Sequence, residues 1–410
     1  MSGPLDGYKV VELTSTVSGP LAGLMLADQG AEVIKVEPPL MGDLARFMGS
    51  SRNGVGAMFS VLNRNKRSVV LDLKNEDEIS ILKEIIKDSD VLIENYRPGI
   101  VQKLGIDYDS IKEINPEIIY TSISGYGQSG PYAERKVYDP LIQATIGTAS
   151  AQNPEDPEFV RNVIFDKATG LTAAQSITAA LLQKEKTGKG EYLPISMLEA
   201  GLYFLWPDAM WSRTLLGEDI NLAADLYDTF SLFKTKDKSL AVILVADPDF
   251  ETLCKFLDCN LHETPEFSTL LGRVENASKL TQEINSRLQK LDSSFVGKRF
   301  EELGLSFSFV NSLDEVHEDP QVIDQGSLVE IEHPVGGLMR YPKPPFNFSS
   351  QDSFPKTHSP SLGQHNREIL SNLGVEEETI KRMEEREKMN ADMLKQMAEL
   401  AAQQLSLIHI

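Results

Sequence analysis

YKVVELTSTVSGPLAGLMLADQGAEVIKVE, residues 8–37, carries the clearest fold pattern of this chain. It predicts a strand at 8–13, a loop of small residues, a helix from Pro20 to Gly30 and a second strand at 31–37. Both strands are mostly apolar, which is typical of a parallel sheet covered by helices on both faces. The loop lacks the G-x-G-x-x-G fingerprint, so the pattern does not predict dinucleotide binding.

The alternation of strands and helices continues beyond this unit. Strands are predicted at 67–73, 90–96 and 118–124, and helices at 76–89 and 107–114 separate them. Such regular alternation predicts an α/β domain with a doubly wound sheet.

A different pattern follows residue 206. LYDTFSLF (226–233) and LAVILVA (240–246) read as strands joined by the turn TKDK, and short amphipathic helices continue to about residue 325. HPVGGLMRYPKPPFNFS (333–349) is rich in Pro and Gly, and it is predicted to be an extended segment that returns the chain to the first domain. The pattern therefore predicts a second, smaller domain in the middle of the chain.

The predicted domain limits follow these changes of pattern. They are a large α/β domain at 1–205, a small domain at 206–330, a return to the large domain at 331–375 and a charged C-terminal helix at 376–410. The last six residues, LSLIHI, are oddly apolar after that helix, and we expect them to be non-native.

Composition and net charge argue against several classes of function for this protein. The 410 residues carry a formal net charge of −21, which argues against a nucleic-acid partner because such a partner needs a basic face. Cys254 and Cys259 form neither a disulfide framework nor a convincing metal motif. No signal peptide or membrane span is evident, so we expect a cytoplasmic protein without a membrane or metal partner.

Asp166 lies in the stretch 161–206 and has two competing interpretations. The apolar run Val163 to Phe165 predicts the end of a buried strand, and a helix is predicted from about Ala168 to Leu182. At such a junction an Asp is most commonly a helix N-cap, although a carboxylate can also act as a nucleophile. The local pattern alone does not decide between them.

Basic side chains recur near predicted strand ends and loops. Each one alone is more commonly a solvated charge, but together they suggest a site for a phosphorylated ligand. The residues are Arg64, Lys66, Arg67, Lys74, Arg97, Lys103 and Lys136. All six histidines lie at position 262 or later, so Ser–His–Asp and Cys–His chemistry are not expected in the first domain.

The chain resembles the class III (CaiB/BaiF-type) CoA-transferases, a group that includes formyl-CoA transferase, carnitine CoA-transferase and the α-methylacyl-CoA racemases. The resemblance runs from residue 4 to about 374. It rests on an ordered series of motifs: PLDGYKVVELT, SGPLAGLMLADQGAEVIKVE, NRNKRSVVLDLK, ENYRPG, ISGYGQSGP, DKATGLTAAQSITAALLQKEKTGKGEYLPISML, YDTFSLFKTKD and SPSLGQHNREIL.

This resemblance implies an α/β fold with a Rossmann-like large domain, a smaller α+β domain and an interlocked homodimer. It implies acyl-CoA and a carboxylic acid as substrates and no permanently bound cofactor. The positions that match CoA-contacting residues of the family are Thr16, Val17, Leu71, Lys74, Lys103 and Lys136.

By the same resemblance, Asp166 matches the nucleophile that becomes an aspartyl-CoA thioester. Racemases of the group pair this Asp with a His, but here Tyr138 stands at that position, which favours transfer over proton exchange. Asp139 follows, and it either assists at the site or caps the helix that follows it.

The match to formyl-CoA-type enzymes is partial. ILVADPDFE replaces their glycine-rich loop, with Asp247 where racemases tend to have a Glu. We therefore expect a different acid pair, such as a dicarboxylic or branched acid. A racemase and a non-catalytic CoA-binding subunit remain as alternatives.

Overall fold

A six-stranded parallel sheet forms the centre of the first part of the chain. The described residues of the computed structural model are 3–221, 230–349 and 356–408, with side chains described up to residue 396. The strands up to residue 196 are β1 (Lys9–Leu13), β2 (Glu32–Glu37), β3 (Ser51–Arg52), β4 (Val55–Gly56), β5 (Lys66–Val70), β6 (Val91–Glu94), β7 (Ile119–Ser124) and β8 (Glu191–Ser196). The small β3–β4 hairpin stands apart from the sheet.

The order across the main sheet is β5-β2-β1-β6-β7-β8, and every neighbouring pair is parallel. The chain builds outward from β1 to β5, then returns to place β6 on the other side of β1. The order reverses between β1 and β6, and open α/β sheets bind ligands outside the carboxyl ends of the strands at such a point. The predicted α/β fold with a doubly wound parallel sheet is confirmed.

Helices cover both faces of this sheet. The helices up to residue 209 are α1 (Ser18–Asp28), α2 (Ala57–Asn63), α3 (Glu76–Lys87), α4 (Ile100–Leu104), α5 (Tyr108–Ile114), α6 (Asp139–Thr145), α7 (Thr148–Gln152), α8 (Ile164–Thr187) and α9 (Met197–Ala209). Alternate strand residues enter opposite cores, as the two-residue period of a strand requires: Val11 packs with α3 and α5, and Val10 packs with α1 and α8.

The start of α8 corrects one prediction. The apolar run Val163 to Phe165 is not a strand, because the helix begins at Ile164 and Asp166 lies in its first turn. Three apolar residues cannot distinguish a buried strand from a buried helix start. Phe165 is 1% exposed, so its apolar character reflects burial and not strand geometry.

The chain divides into two compact units, Met1–Leu202 with Ser327–Ile410, and Tyr203–Gly326. The second unit has a three-stranded antiparallel sheet in the order β11-β10-β9. Its elements are α10 (Trp211–Thr214), β9 (Leu232–Lys234), β10 (Ser239–Val242), α11 (Asp247–Phe256), α12 (Leu270–Glu275), α13 (Ala277–Leu288), α14 (Ser293–Leu303), β11 (Phe307–Phe309) and α15 (Pro320–Asp324).

The second unit matches the predicted α+β pattern with differences in detail. The TKDK turn joins two antiparallel strands, with Lys234 opposite Ser239. The first half of the predicted strand 226–233 lies outside the described residues, and β10 is shorter than the predicted 240–246. Strand β11 was not predicted, because three residues are too few to show a period.

The C-terminal segment returns to the first unit. Its elements are β12 (Leu328–His333), β13 (Gly337–Pro342), α16 (Asn366–Asn372) and α17 (Glu377–Ile408). The segment predicted to be extended at 333–349 contains the strand β13, and its antiparallel pairing with β12 in a hairpin was not predicted. Gly337 takes a φ of 72° at its turn, a conformation that glycine adopts at little cost.

Helix α16 lies along β5, the edge strand of the main sheet. The backbone N–H of Val70 donates to Asn366 Oδ1 at 2.8 Å, and that of Ser68 donates to His365 Nδ1 at 3.1 Å. Helix α17 then adds Ile380 and Met383 to the same core as α3. It continues to Ile408 and so includes part of LSLIHI, whose non-native origin stays a prediction. Among the described helices, none is both long and apolar enough to cross a bilayer.

Candidate active site

A cavity of about 360 Å³ opens at the carboxyl edge of the main sheet, at the reversal between β1 and β6. The loops after β1, β6 and β7 supply most of its wall, and the starts of α1, α8 and α9 complete it. Its polar and charged lining includes Thr16, Ser18, Arg97, Arg135, Lys136 and Asp166. Among the described lining residues there is no histidine.

Asp166 lies where the amino ends of two helices meet. It is in the first turn of α8, and Ser18, the first residue of α1, hydrogen-bonds its carboxylate with both the hydroxyl and the backbone N–H. Helix amino ends carry free N–H groups and a partial positive charge, so this position stabilises an anion. The same donors can stabilise negative charge that develops on a carboxyl group during a reaction.

Close packing of α1 against α8 creates this meeting point. A Cβ at Gly170 would lie 2.7 Å from the Ser18 carbonyl oxygen and 3.0 Å from Leu21 Cβ. Only glycine permits that approach without a shift of one helix. The apolar pattern predicted Gly170 within the helix but did not indicate this role.

Asp139 caps helix α8. Its Oδ2 accepts the backbone N–H groups of Phe165 at 2.6 Å and of Asp166 at 3.0 Å, and its Oδ1 accepts Gln143 Nε2 at 2.6 Å. The side chain is 1% exposed and is not among the cavity-lining residues. The prediction that Asp139 caps the helix that follows it is wrong in its helix, because Asp139 is the first residue of α6 and its carboxylate caps the distant α8 instead. Asp166 itself is not the N-cap of its helix.

The surroundings of Asp166 raise the pKa of its carboxyl group to about 6. Burial is the main cause, and the nearby charge of Asp139 adds to it. The two hydrogen bonds from Ser18 act in the opposite direction. The group is thus mostly ionised at neutral pH and more basic than an ordinary Asp, which suits a carboxylate nucleophile.

The loop after β1 is held by polar contacts to other parts of the sheet edge. Asn95 exchanges two hydrogen bonds with the Ser15 backbone, at 2.9 and 3.0 Å. Thr16 has a φ of 66°, rare for a β-branched residue, and its N–H donates to Asp43 Oδ1 at 2.9 Å. Asp43 is paired with fully buried Lys35 at 2.9 Å. This strained loop is therefore fixed before any ligand binds.

Five of the seven basic residues suggested for a phosphate site fall into two groups. Arg97 and Lys136 line the cavity. Buried Arg64 pairs with Asp28 at 2.7 Å and buried Lys66 with Glu12 at 2.7 Å, while Arg67 pairs with Glu32 and Glu368, so these three serve the fold. Arg135, stacked on the Tyr132 ring at 3.7 Å, also lines the cavity, although the pattern analysis did not single it out.

The other predicted site residues have varied positions. Thr16 and Tyr138 line the cavity, and Tyr138 is 68% exposed. Val17 is buried just before α1, and Leu71 is fully buried after β5. Lys74 and Lys103 are exposed and are not among the lining residues.

Ser18 and Asn95 were not predicted as site residues, because no local pattern distinguishes a contacting Ser or Asn from a solvated one.

Comparison with known proteins finds a family model and relatives that match most of this chain. The family model described as CoA-transferase family III matches residues 5–366. Human succinyl-CoA:glutarate CoA-transferase is 35% identical, over 90% of this chain and 86% of that relative. Succinate–glutarate CoA-transferase of Agrobacterium fabrum is 30% identical, over 92% and 97%.

Two solved structures share the fold of this chain over most of its length. A CaiB/BaiF family protein from Brucella suis superposes with a TM-score of 0.79 at 30% identity, over 91% of this chain and all of that one. The Rv3272 protein of Mycobacterium tuberculosis gives a TM-score of 0.78 at 27% identity, over 90% and 99%.

Proposed function

Since this chain belongs to CoA-transferase family III, as its motifs predicted, we propose that it moves CoA between two carboxylic acids through a thioester on Asp166. The observation that carries this proposal is the position of Asp166: a carboxylate with a pKa of about 6, at two helix amino ends, in the wall of a cavity. A non-catalytic subunit would have no need of that arrangement.

The proposed reaction has four steps. The Asp166 carboxylate attacks the thioester carbonyl of acyl-CoA, the C–S bond breaks, and CoA thiolate leaves a mixed anhydride. The thiolate attacks the aspartyl carbonyl and releases the first acid as its carboxylate. A second carboxylate then attacks the aspartyl thioester and expels CoA thiolate, which finally attacks the new acyl group and regenerates Asp166.

Every attacking and leaving group in this sequence is an anion, so no step requires proton transfer. The described residues of the cavity wall include no histidine, which fits such chemistry. Each step creates a tetrahedral oxyanion. When that oxyanion forms at the carboxyl carbon of Asp166, the backbone N–H and the hydroxyl of Ser18 are suitably placed to donate hydrogen bonds to it. Asp139 acts as a positioning residue that fixes the first turn of α8.

We assign CoA binding to the carboxyl edge of the sheet. Thr16, Arg97 and Lys136 line the cavity and offer donors for the thioester arm and the diphosphate. Lys74 and Lys103, exposed in elements that follow β5 and β6, are proposed to contact phosphate groups outside the cavity. Val17 and Leu71 are buried beneath this edge and would shape it through packing.

We propose dicarboxylic acids as the acyl groups. Relatives that are 30–35% identical carry succinate and glutarate in their names. Arg135 gives the cavity one cation more than the two assigned to CoA, and that guanidinium could hold the distal carboxylate. Tyr138 would then contact the acyl group and not exchange a proton.

The interlocked homodimer is likewise a proposal for this chain. Large apolar side chains stand exposed in the single chain, for example Tyr203 at 86% and Leu216 at 91%. Exposed apolar side chains of this size favour a protein contact. Light scattering would measure the mass of the assembly, and a monomer would overturn the proposal.

Intact-mass measurement tests the mechanism. The protein is incubated with succinyl-CoA, glutaryl-CoA and other acyl-CoAs, beside Asp166→Asn. We expect a CoA-sized adduct that hydroxylamine removes and that the variant lacks. Exchange of the α-proton of acyl-CoA in deuterated water, without any adduct, would instead indicate a racemase.

A further inference from the structure

A second buried carboxylate, Glu94, stands beside the cavity and has no part in the reaction above. It ends strand β6, and its side chain is 1% exposed. Among the described residues, no cation lies within ion-pair distance of it. An unpaired buried carboxylate is costly, so its contacts call for an explanation.

Glu94 joins two loops of the cavity wall. Its Oε2 accepts the N–H of Tyr96 at 2.8 Å, in the loop that includes Arg97. Its Oε1 accepts the hydroxyl of Ser122, and the oxygen of Ser122 accepts Gln128 Nε2 at 2.8 Å. Gln128 belongs to the segment after β7 that leads to Arg135 and Lys136. One carboxylate thereby connects the segments that carry the cavity's three cations.

We propose that Glu94 is a positioning residue for CoA binding, and that its negative charge holds the two cationic loops in place. The ionised group accepts two charge-assisted hydrogen bonds. On protonation both become neutral bonds, about half as strong, and the donor in the Ser122 bond reverses. The cationic loops are therefore held most firmly when Glu94 is ionised.

Among Glu94 and the titratable side chains around it, Glu94 is the group that titrates near neutral pH. Burial raises its pKa to about 7, opposed by the hydrogen bonds from Ser122 and Tyr96. The titratable side chains that face it are phenols: Tyr96 on its own loop, Tyr120 on β7 and Tyr192 on β8, and burial raises the pKa of each. The charge of Lys35 on β2 lowers the pKa of Tyr96, but the Lys35 ammonium group is already paired with the carboxylates of Glu12 and Asp43.

The test is the affinity for free CoA, measured by calorimetry at pH 8 and pH 6. Glu94→Gln keeps the shape and imitates the protonated state. We expect its Kd to exceed that of the unaltered protein about tenfold at pH 8, the scale of one weakened charge-assisted bond, and only about twofold at pH 6, where most of Glu94 is protonated. Because CoA and Asp166 titrate in both proteins, the ratio of the two Kd values isolates Glu94.

Two variants complete the design. Ser122→Ala removes the link from the β7 side and should also weaken binding at pH 8. Glu78→Gln alters a buried carboxylate that is not among the lining residues, and it should leave the ratio near one. A ratio for Glu94→Gln that does not change with pH would overturn the proposal, since a purely structural role predicts that result.

This inference rests on the proposed function only in that CoA occupies the cavity. If the unaltered protein binds no CoA at pH 8, the proposed function itself fails. If it binds CoA with a pH-independent ratio, the role of Glu94 alone fails. The CoA adduct on Asp166 should still form in Glu94→Gln at saturating acyl-CoA, because Asp166 and Ser18 are unchanged.

Discussion

The site depends on one carboxylate whose surroundings make ionisation unfavourable. Burial and the charge of Asp139 together outweigh the two hydrogen bonds from Ser18, so the pKa of Asp166 lies near 6. A carboxyl pKa raised by folding means that the ionised group destabilises the folded state. That cost is absent below the unfolded pKa, grows as the pH rises towards 6, and is complete above it.

Replacing the ionisable group should therefore stabilise the protein. For Asp166→Asn we expect the free energy of unfolding at pH 8 to rise by about 1–3 kcal/mol, with a smaller gain at pH 5, while transfer is lost. Urea denaturation at both pH values measures the difference. Asp109→Asn, at an exposed first-turn position of α5, should change stability by no more than about 0.5 kcal/mol. A less stable Asp166→Asn at pH 8 would contradict this account.

At the scale of elements, the reactive geometry depends on how closely α1 approaches α8. The apolar pattern predicted both helices, and the structure adds that Gly170 faces the first turn of α1. The start of α8 is likewise completed from outside, since its cap comes from Asp139 at the start of α6. Neither helix alone would orient Asp166.

The substitution Gly170→Ala tests this contact. Its added methyl group must displace Ser18, so we expect a loss of stability of about 1–3 kcal/mol despite better helix propensity, and at least a tenfold fall in kcat. Steady-state kinetics and thermal unfolding measure the two effects. Gly297→Ala in α14 is a matched control: its Cβ would meet the Phe309 ring edge at 3.0 Å, so stability can change but kcat should not. Equal effects on kcat in both variants would contradict a specific role.

At the scale of the whole molecule, the first unit is assembled from both ends of the chain. Helix α17 contributes Ile380 and Met383 to the core that α3 also lines, and Arg386 reaches Glu78 of α3. Glu78 is 2% exposed, so this pair is far more sheltered than the surface pairs of Arg367 with Glu377 and Glu384.

Two arginine variants compare these contacts. Arg386→Ala leaves buried Glu78 without its cation and should lower the free energy of unfolding by about 2–4 kcal/mol. Arg367→Ala breaks only exposed pairs and should cost less than about 1 kcal/mol. Chemical denaturation of both proteins provides the comparison. Similar losses would show that α17 is held by apolar packing alone.

The amino-acid sequence alone predicted the repeating strand–helix pattern, the parallel sheet and the family. Those depend on local periodicity and on ordered motifs, both of which are written in consecutive residues. The motif around Asp166 also led to the proposal that this residue is the nucleophile, and the sequence left open whether Asp139 caps the helix that follows it or assists at the site.

The folded structure was needed to show which polar groups meet. Ser18 and Asp166 lie 148 positions apart in the chain, and Glu94 and Gln128 lie on different loops. Arg64 and Lys66 resembled ligand-binding cations until their buried carboxylate partners were known. The physical reason is that side-chain distances and shielding from water arise from packing between remote segments, which local sequence patterns do not record.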